Sequence, residues 1–176
     1  FVYLWRKAEA APGGWTADRR LDGDSNHIQR IAFAANGTRL AATTTDYGIR
    51  LWNLETDEEI ALPEAEVLRD DAVMALAVSG DGTRFATGSA GGLVQVWSAA
   101  DGSLVAALPK REFFIGSLTF AGDALVLSCG YRCTDRYRTE VWPAGTSEPA
   151  LVHAGHDGTV FASATQPGGT LVATGG

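Results

Sequence analysis

The sequence predicts an all-β chain built from repeated four-stranded antiparallel units, with about four units' worth of strands in 176 residues. Three observations predict it. Trp5, Trp52, Trp97 and Trp142 recur at intervals of 47, 45 and 45 residues, a period at which a supersecondary unit repeats. Each ends a short alternating apolar stretch: VYLW at 2–5, IRLW at 49–52, VQVW at 94–97 and TEVW at 139–142. Upstream of them a hairpin block recurs, reading IAFAANGTRLA at 31–41 and LAVSGDGTRFA at 76–86.

The hairpin block has a physical reading. Two period-2 apolar segments flank Asn36-Gly37 or Asp81-Gly82, residue pairs that accept the backbone angles of a tight turn. A degraded copy lies at 118–125 and a fourth begins at Val160. The segments are rich in Ala, Val, Leu and Thr and poor in charge, as expected of strands covered on both faces. After each Trp come a polar turn and another strand, for example 53–60 and 98–105, so each period holds about four strands.

Composition sets outer bounds. At 45% hydrophobic and 20% charged, with a formal charge of −7, the chain is too apolar for disorder and argues against bulk nucleic-acid binding. No apolar run approaches the roughly 18 residues of a membrane-spanning helix. There is neither an initiator Met nor a basic leader before Phe1, and the chain reads as a piece of a longer one. Cys129 and Cys133 are too few for a disulfide framework. Two free thiols near a loop is the favoured reading; a local disulfide and half of a metal site stay open. A reducing cytoplasm fits the first.

A four-stranded unit of this length ending in Trp and a polar residue resembles the WD repeat, the unit of a β-propeller, and the resemblance covers nearly the whole chain. It implies units at 23–67, 68–109 and 110–154, the last with a long loop insert. The third and fourth strands of an earlier blade then occupy 1–22, and the first two strands of a further one 155–176. The family's Gly-His pair falls at Gly155-His156; Gly23-Asp24, Leu68-Arg69 and Lys110-Arg111 stand at the equivalent positions. The family's buried Asp is Asp46 in the best copy, replaced by Gly91 and then Arg136; its Ser or Thr partner is Thr44 or Ser89. No copy holds the full His-Ser-Asp-Trp set, so the blades are expected to rest mainly on apolar packing. The repeat signature is therefore Trp5, Trp52, Trp97, Trp142, Asp46 and His156.

Ring closure has three readings: a longer propeller (favoured), two copies forming an eight-bladed ring, or terminal half-blades pairing into a four-bladed one. Low Lys with abundant Ala, Gly and Arg resembles the composition of a GC-rich bacterium.

Nothing in the chain groups into catalytic machinery. His156 matches a structural position of the family, and His27 and His153 read as surface residues. Ser79 and Ser128 lack a nucleophile-elbow context, and Gly80-Asp81-Gly82 reads as a turn and not a calcium loop. No catalytic residue, metal ligand or cofactor is expected.

Binding is the stronger expectation. The insert YRCTDRYR at 131–138 is about five residues longer than the matching loop around Asp46. It carries Tyr131, Arg132, Arg136, Tyr137 and Arg138, residue types enriched at interface hot spots. Arg69, Arg111 and Phe113 are expected on the same face, with Phe114 in the core. The expectation is thus a non-catalytic protein-interaction scaffold, part of a larger WD-repeat propeller in a multidomain regulatory or signalling protein. Its partner is a protein or peptide, with no membrane and no nucleic acid. A structural or oligomerisation segment, self-associating through unfinished terminal blades, is the alternative. An enzyme with a funnel active site is the third reading.

Overall fold

The computed structural model describes residues 1–9, 12–22, 27–44, 48–63, 71–133, 136–166, 169 and 171–176. Asp46 and Arg69 lie outside the described residues. Sixteen strands are described, and no α-helix among those residues.

Three four-stranded antiparallel sheets form the body. The first holds β3 (Ile28–Ala34), β4 (Arg39–Thr44), β5 (Ile49–Asn53) and β6 (Glu59–Ile60). The second holds β7 (Val73–Val78), β8 (Arg84–Ser89), β9 (Val94–Ser98) and β10 (Leu104–Ala107). The third holds β11 (Ile115–Ala121), β12 (Ala124–Cys129), β13 (Tyr137–Trp142) and β14 (Leu151–His156). A two-stranded sheet precedes them, β1 (Val2–Lys7) with β2 (Trp15–Leu21), and another follows, β15 (Ala162–Thr165) with β16 (Val172–Gly175). Within each full sheet the strands pair in chain order, and the first strands β3, β7, β11 and β15 lie side by side. That is the arrangement of successive propeller blades.

Burial explains the composition of the strands. The second strands β4, β8 and β12 are buried at every residue but the first, so both faces must be apolar or internally satisfied. The outer strands β10 and β14 are mostly exposed. Register places each repeat tryptophan opposite a buried apolar residue of the second strand: Leu40 with Trp52, Phe85 with Trp97 and Leu125 with Trp142. A bulge recurs at the start of the first strand in all three sheets, between Ile28 and Arg30, Val73 and Ala75, and Ile115 and Ser117. One extra residue there sharpens the local twist.

The hairpins differ in detail. The turn containing Asp81-Gly82 is a four-residue loop closed by the Ser79 N–H donating to the Arg84 carbonyl at 2.9 Å. The degraded copy makes the two-residue hairpin, Gly122-Asp123 between the paired Ala121 and Ala124.

The core lies between blades. Phe85, Trp97, Ile49 and Leu51 pack the first blade on the second; Ile115, Phe120, Leu127 and Trp142 pack the second on the third. Val2 and Leu21 of the leading sheet pack on Leu40 and Trp52. Polar ties cross the same seams. Arg19 donates to the Leu54 carbonyl at 2.6 Å, Arg84 pairs with Asp123, and Thr119 meets Thr165 at 3.0 Å. Trp5 is the odd tryptophan: it is 63% exposed while Trp52, Trp97 and Trp142 are at 2%, 0% and 1%. Among the described strands, its own pairs with β2 and with no other.

Candidate interaction rim

The loops joining a blade's second and third strands, and those joining one blade to the next, open on one side of the sheets. Their geometry is set by polar pairs at the strand ends. In the second blade Asp71 accepts from the Ser89 hydroxyl at 2.5 Å and from the Gly91 N–H at 2.6 Å. Gly91 stands where the best copy has Asp46, and a Cβ on it would run into the Asp71 carboxyl. A carboxylate from the preceding loop therefore fills the place of the missing one.

The third blade solves the same problem from strand β13. Glu140 and Trp142 are two residues apart and share a face. Glu140 is an ionisable side chain only 2% exposed. It accepts from the Trp142 indole at 2.8 Å and faces Arg138 Nε at 3.2 Å and Arg111 Nε at 3.8 Å. Arg111 also lies over the Trp142 ring, 4.3 Å from its centroid, and Arg138 over the Phe113 ring at 4.7 Å. Beneath them the Ser128 and Thr139 hydroxyls meet at 2.8 Å. The second blade uses a neutral pair instead: Trp97 Nε1 donates to Thr87 Oγ1 at 2.9 Å. Between the third blade and the last sheet, His156 Nε2 of β14 and Thr174 Oγ1 of β16 share a hydrogen bond at 2.8 Å. Polar nodes assembled from different sequence positions thus stand beside the apolar packing expected to carry the blades.

The insert loop is braced at its start. Cys129 and Cys133 form a disulfide, Cα atoms 6.1 Å apart, which overturns the favoured reading of two free thiols. Between them Arg132 turns the chain in the left-handed region at φ 60, bringing the two sulfurs together. Phe114 exchanges backbone hydrogen bonds with this turn, its N–H to the Tyr131 carbonyl at 3.1 Å and its carbonyl from the Gly130 N–H at 2.9 Å. The Tyr131 ring makes edge contacts with Phe114 and Phe161. Thr134 and Asp135 lie outside the described residues.

The predicted rim residues divide accordingly. Tyr131, Arg132 and Arg136 are exposed, and Tyr137 and Arg138 half-buried. Arg138 is committed to Glu140 and Phe113, and Arg111 is partly committed to Glu140 and Trp142. Phe113 is corrected: it is 4% exposed, inside the seam between the second and third blades. Strand alternation puts it on the same face as the buried Ile115, and it is Phe114 that stands half-exposed. Sequence reasoning missed Asp71 and Glu140. Glu140 carried one usable signal, an acid in a strand otherwise expected to be covered.

One open depression of about 360 Å³ lies on this rim, lined by Ala90, Gly91, Lys110, Arg111, Glu112 and Arg132. A larger one of about 600 Å³ lies across the hairpin turns, with Asp81, Arg84, Thr119 and Asp123 in its wall. Its charges are spoken for: Arg84 pairs with Asp123, and Asp81 accepts from the Ser79 hydroxyl at 2.6 Å and the Thr83 N–H at 3.0 Å. Those bonds, Ser79 first, hold the Asp81 carboxyl down at about 2. No cluster of three or more metal-ligating side chains occurs among the described residues.

Comparison with known proteins agrees with this architecture. The family model for the WD domain, G-beta repeat, matches residues 15–53 and 66–98. The chain is similar to rat apoptotic protease-activating factor 1, 26% identical over 155 residues, which is 87% of this chain and 12% of that protein. The chain therefore spans a small part of that relative. A crystal structure of RRP9 WD40 repeats superposes with a TM-score of 0.68 at 20% identity, over 81% of this chain and 43% of that one; the likeness is one of fold. Repeat match, blade topology and fold together support a segment of WD-repeat propeller blades.

Proposed function

We propose that the chain is a non-catalytic protein-interaction scaffold that meets its partner through the rim built on the insert loop. WD-repeat propellers in general serve protein–protein interaction, and the rim is where this chain departs most from its own repeat. The observation that carries the reading is the braced insert. A disulfide, a backbone exchange with Phe114 and an aromatic cluster hold Tyr131 and Arg132 exposed in one conformation. A preorganised loop loses less entropy on binding than a slack one. Arg132 and Arg136 have no polar partner among the described residues and are available to a ligand. The likeness to a long relative supports a place in a multidomain regulatory protein; the cytoplasmic setting expected with free thiols loses that support to the Cys129–Cys133 bond and is not part of this reading. No helix among the described residues is long and apolar enough to cross a membrane.

The test is proximity labelling in cells with the full-length protein, native against Tyr131→Ala/Arg132→Ala/Arg136→Ala, with circular dichroism confirming the fold. The expected result is loss of the main labelled partners. An unchanged partner set would move the contact surface elsewhere.

A further inference from the structure

We infer that the rim depression between the second and third blades is an oxyanion subsite that takes a phosphoryl group carried by a partner polypeptide. This deepens the scaffold reading and rests on it for the polypeptide that carries the group.

Charge selects the ligand class. Three cations, Lys110, Arg111 and Arg132, line the depression against one carboxylate, Glu112, leaving a formal balance of 3 − 1 = +2 in a chain whose total is −7. Two other carboxylates near it among the described residues are already occupied. Asp71 is taken by Ser89 and Gly91, and Glu140 by Trp142 and Arg138. A phosphoryl monoester brings close to two negative charges at neutral pH and three acceptor oxygens, which matches that balance; a single carboxylate does not.

Donor capacity points the same way. Lys110 and Arg132 are exposed and bond to no described residue. Arg111 is 16% exposed; its Nε and Nη2 are closed to solvent and without a hydrogen bond, so Arg111 brings charge to the depression and not these two donors. The 3.8 Å approach of its Nε to Glu140 is an ion pair too long to satisfy the donor. Arg111 is placed by its backbone, whose N–H donates to the Gly92 carbonyl at 2.9 Å. Gly92 sits at φ +86, and a Cβ there would strike the Arg111 carbonyl. Arg132 holds a left-handed conformation that costs a non-glycine residue energy, inside the disulfide-closed turn. Ala90 and Gly91 also line it, and with a single methyl between them they leave room for a tetrahedral group.

The experiment is equilibrium titration of the full-length protein at constant ionic strength with three probes: inorganic phosphate, capped O-phosphoserine and acetate. Saturable binding of phosphate and capped phosphoserine is expected, with acetate at least fivefold weaker. Lys110→Ala/Arg132→Ala is expected to weaken phosphoserine binding by tenfold or more, while Arg132→Lys keeps part of it. Lys7→Ala, in the leading sheet and away from the rim, is expected to leave it unchanged. Three results would overturn the inference: no saturable phosphate binding, acetate as tight as phosphate, or a double variant that binds as the native protein does. Binding of free phosphate with exclusion of capped phosphoserine would overturn the polypeptide-borne class. Loss of labelled partners in the rim variant without any phosphate binding would leave the scaffold reading standing and the subsite refuted. Phosphate binding with an unchanged partner set would refute the rim as partner surface.

Discussion

Glu140 and Trp142 form the polar centre of the third blade: the indole donates to a carboxylate that is 2% exposed, at 2.8 Å, with Arg138 at 3.2 Å on the other side. Removing one member of a buried charged group strands the others. Glu140→Ala is expected to destabilise the chain by about 2–3 kcal/mol, because it leaves an indole donor and part of two guanidinium groups unpaired. Glu140→Gln keeps an acceptor for Trp142 and is expected to cost less. Urea unfolding midpoints of the two variants decide it; equal losses would show that charge, and not the indole bond, dominates.

The neutral equivalent in the second blade makes a contrasting case. Trp97 and Thr87 are both buried and joined at 2.9 Å. Thr87→Val keeps the shape and removes the acceptor, and is expected to cost about 1–3 kcal/mol for the unsatisfied indole. Trp97→Ala adds a cavity and is expected to cost about 3–5 kcal/mol. Thermal unfolding that ranks the two the other way would contradict the packing described for this blade.

The Asp81 turn makes stability depend on acidity. Its carboxyl is held at about 2 against an ordinary 3.8, by the Ser79 hydroxyl first and the Thr83 N–H second. A depressed carboxyl contributes stability above its unfolded value, and the contribution is lost as pH falls from near 4 through about 2. Asp81→Asn is therefore expected to be less stable than the native chain at neutral pH, with the gap closing below pH 4. Denaturation at a series of pH values checks this. A gap that persists at the lowest pH would assign the loss to turn geometry.

The Cys129–Cys133 bond closes a five-residue loop, for which chain entropy predicts about 2 kcal/mol of stabilisation. Cys129 is fully buried and Cys133 half-exposed, so a dithiol reductant approaches through Cys133. Reduction, or Cys133→Ser, is expected to raise amide exchange at 130–133 while the strands of the third blade keep their protection. Hydrogen exchange followed by mass spectrometry reads both; loss of protection across β12 would show that the bond supports the blade itself.

Gly88 has no room for a side chain. A Cβ there would lie 2.5 Å from Ile115 Cγ2 and 2.9 Å from Ile115 Cβ, across the seam between two blades. Ile115 is β-branched and stiff, and cannot swing aside cheaply. Gly88→Ala is expected to cost about 1–3 kcal/mol through overpacking, partly recovered by Ile115→Val. A double-mutant cycle on urea midpoints measures the coupling.

The strands were legible because their residues obey local rules. Tryptophan period, alternation and the Asn36-Gly37 and Asp81-Gly82 turns each depend on a few neighbouring positions, and the resulting pairing puts Leu40 against Trp52 and Phe85 against Trp97. The polar nodes were not legible, because their members come from different places in each blade. The position two before the tryptophan is Arg50, Gln95 or Glu140, and the carboxylate missing at Gly91 arrives from Asp71, twenty residues earlier. The cysteine spacing fits either redox state; only the left-handed turn at Arg132 brings the two residues within bonding reach. Phe113 and Phe114 were exchanged because the sequence does not say where β11's alternation begins.

The uneven cover of the tryptophans gives the molecule an optical asymmetry. Trp5 and Trp15 are 63% and 58% exposed, while Trp52, Trp97 and Trp142 are sealed between sheets. Emission from the first two falls at long wavelength and is open to a soluble quencher; emission from the other three is shielded. Any strand that comes to lie along β1 would shield Trp5 and shift its share of the signal to the blue. Intrinsic fluorescence thus reports the state of the leading sheet separately from the integrity of the inner blades, with no label attached.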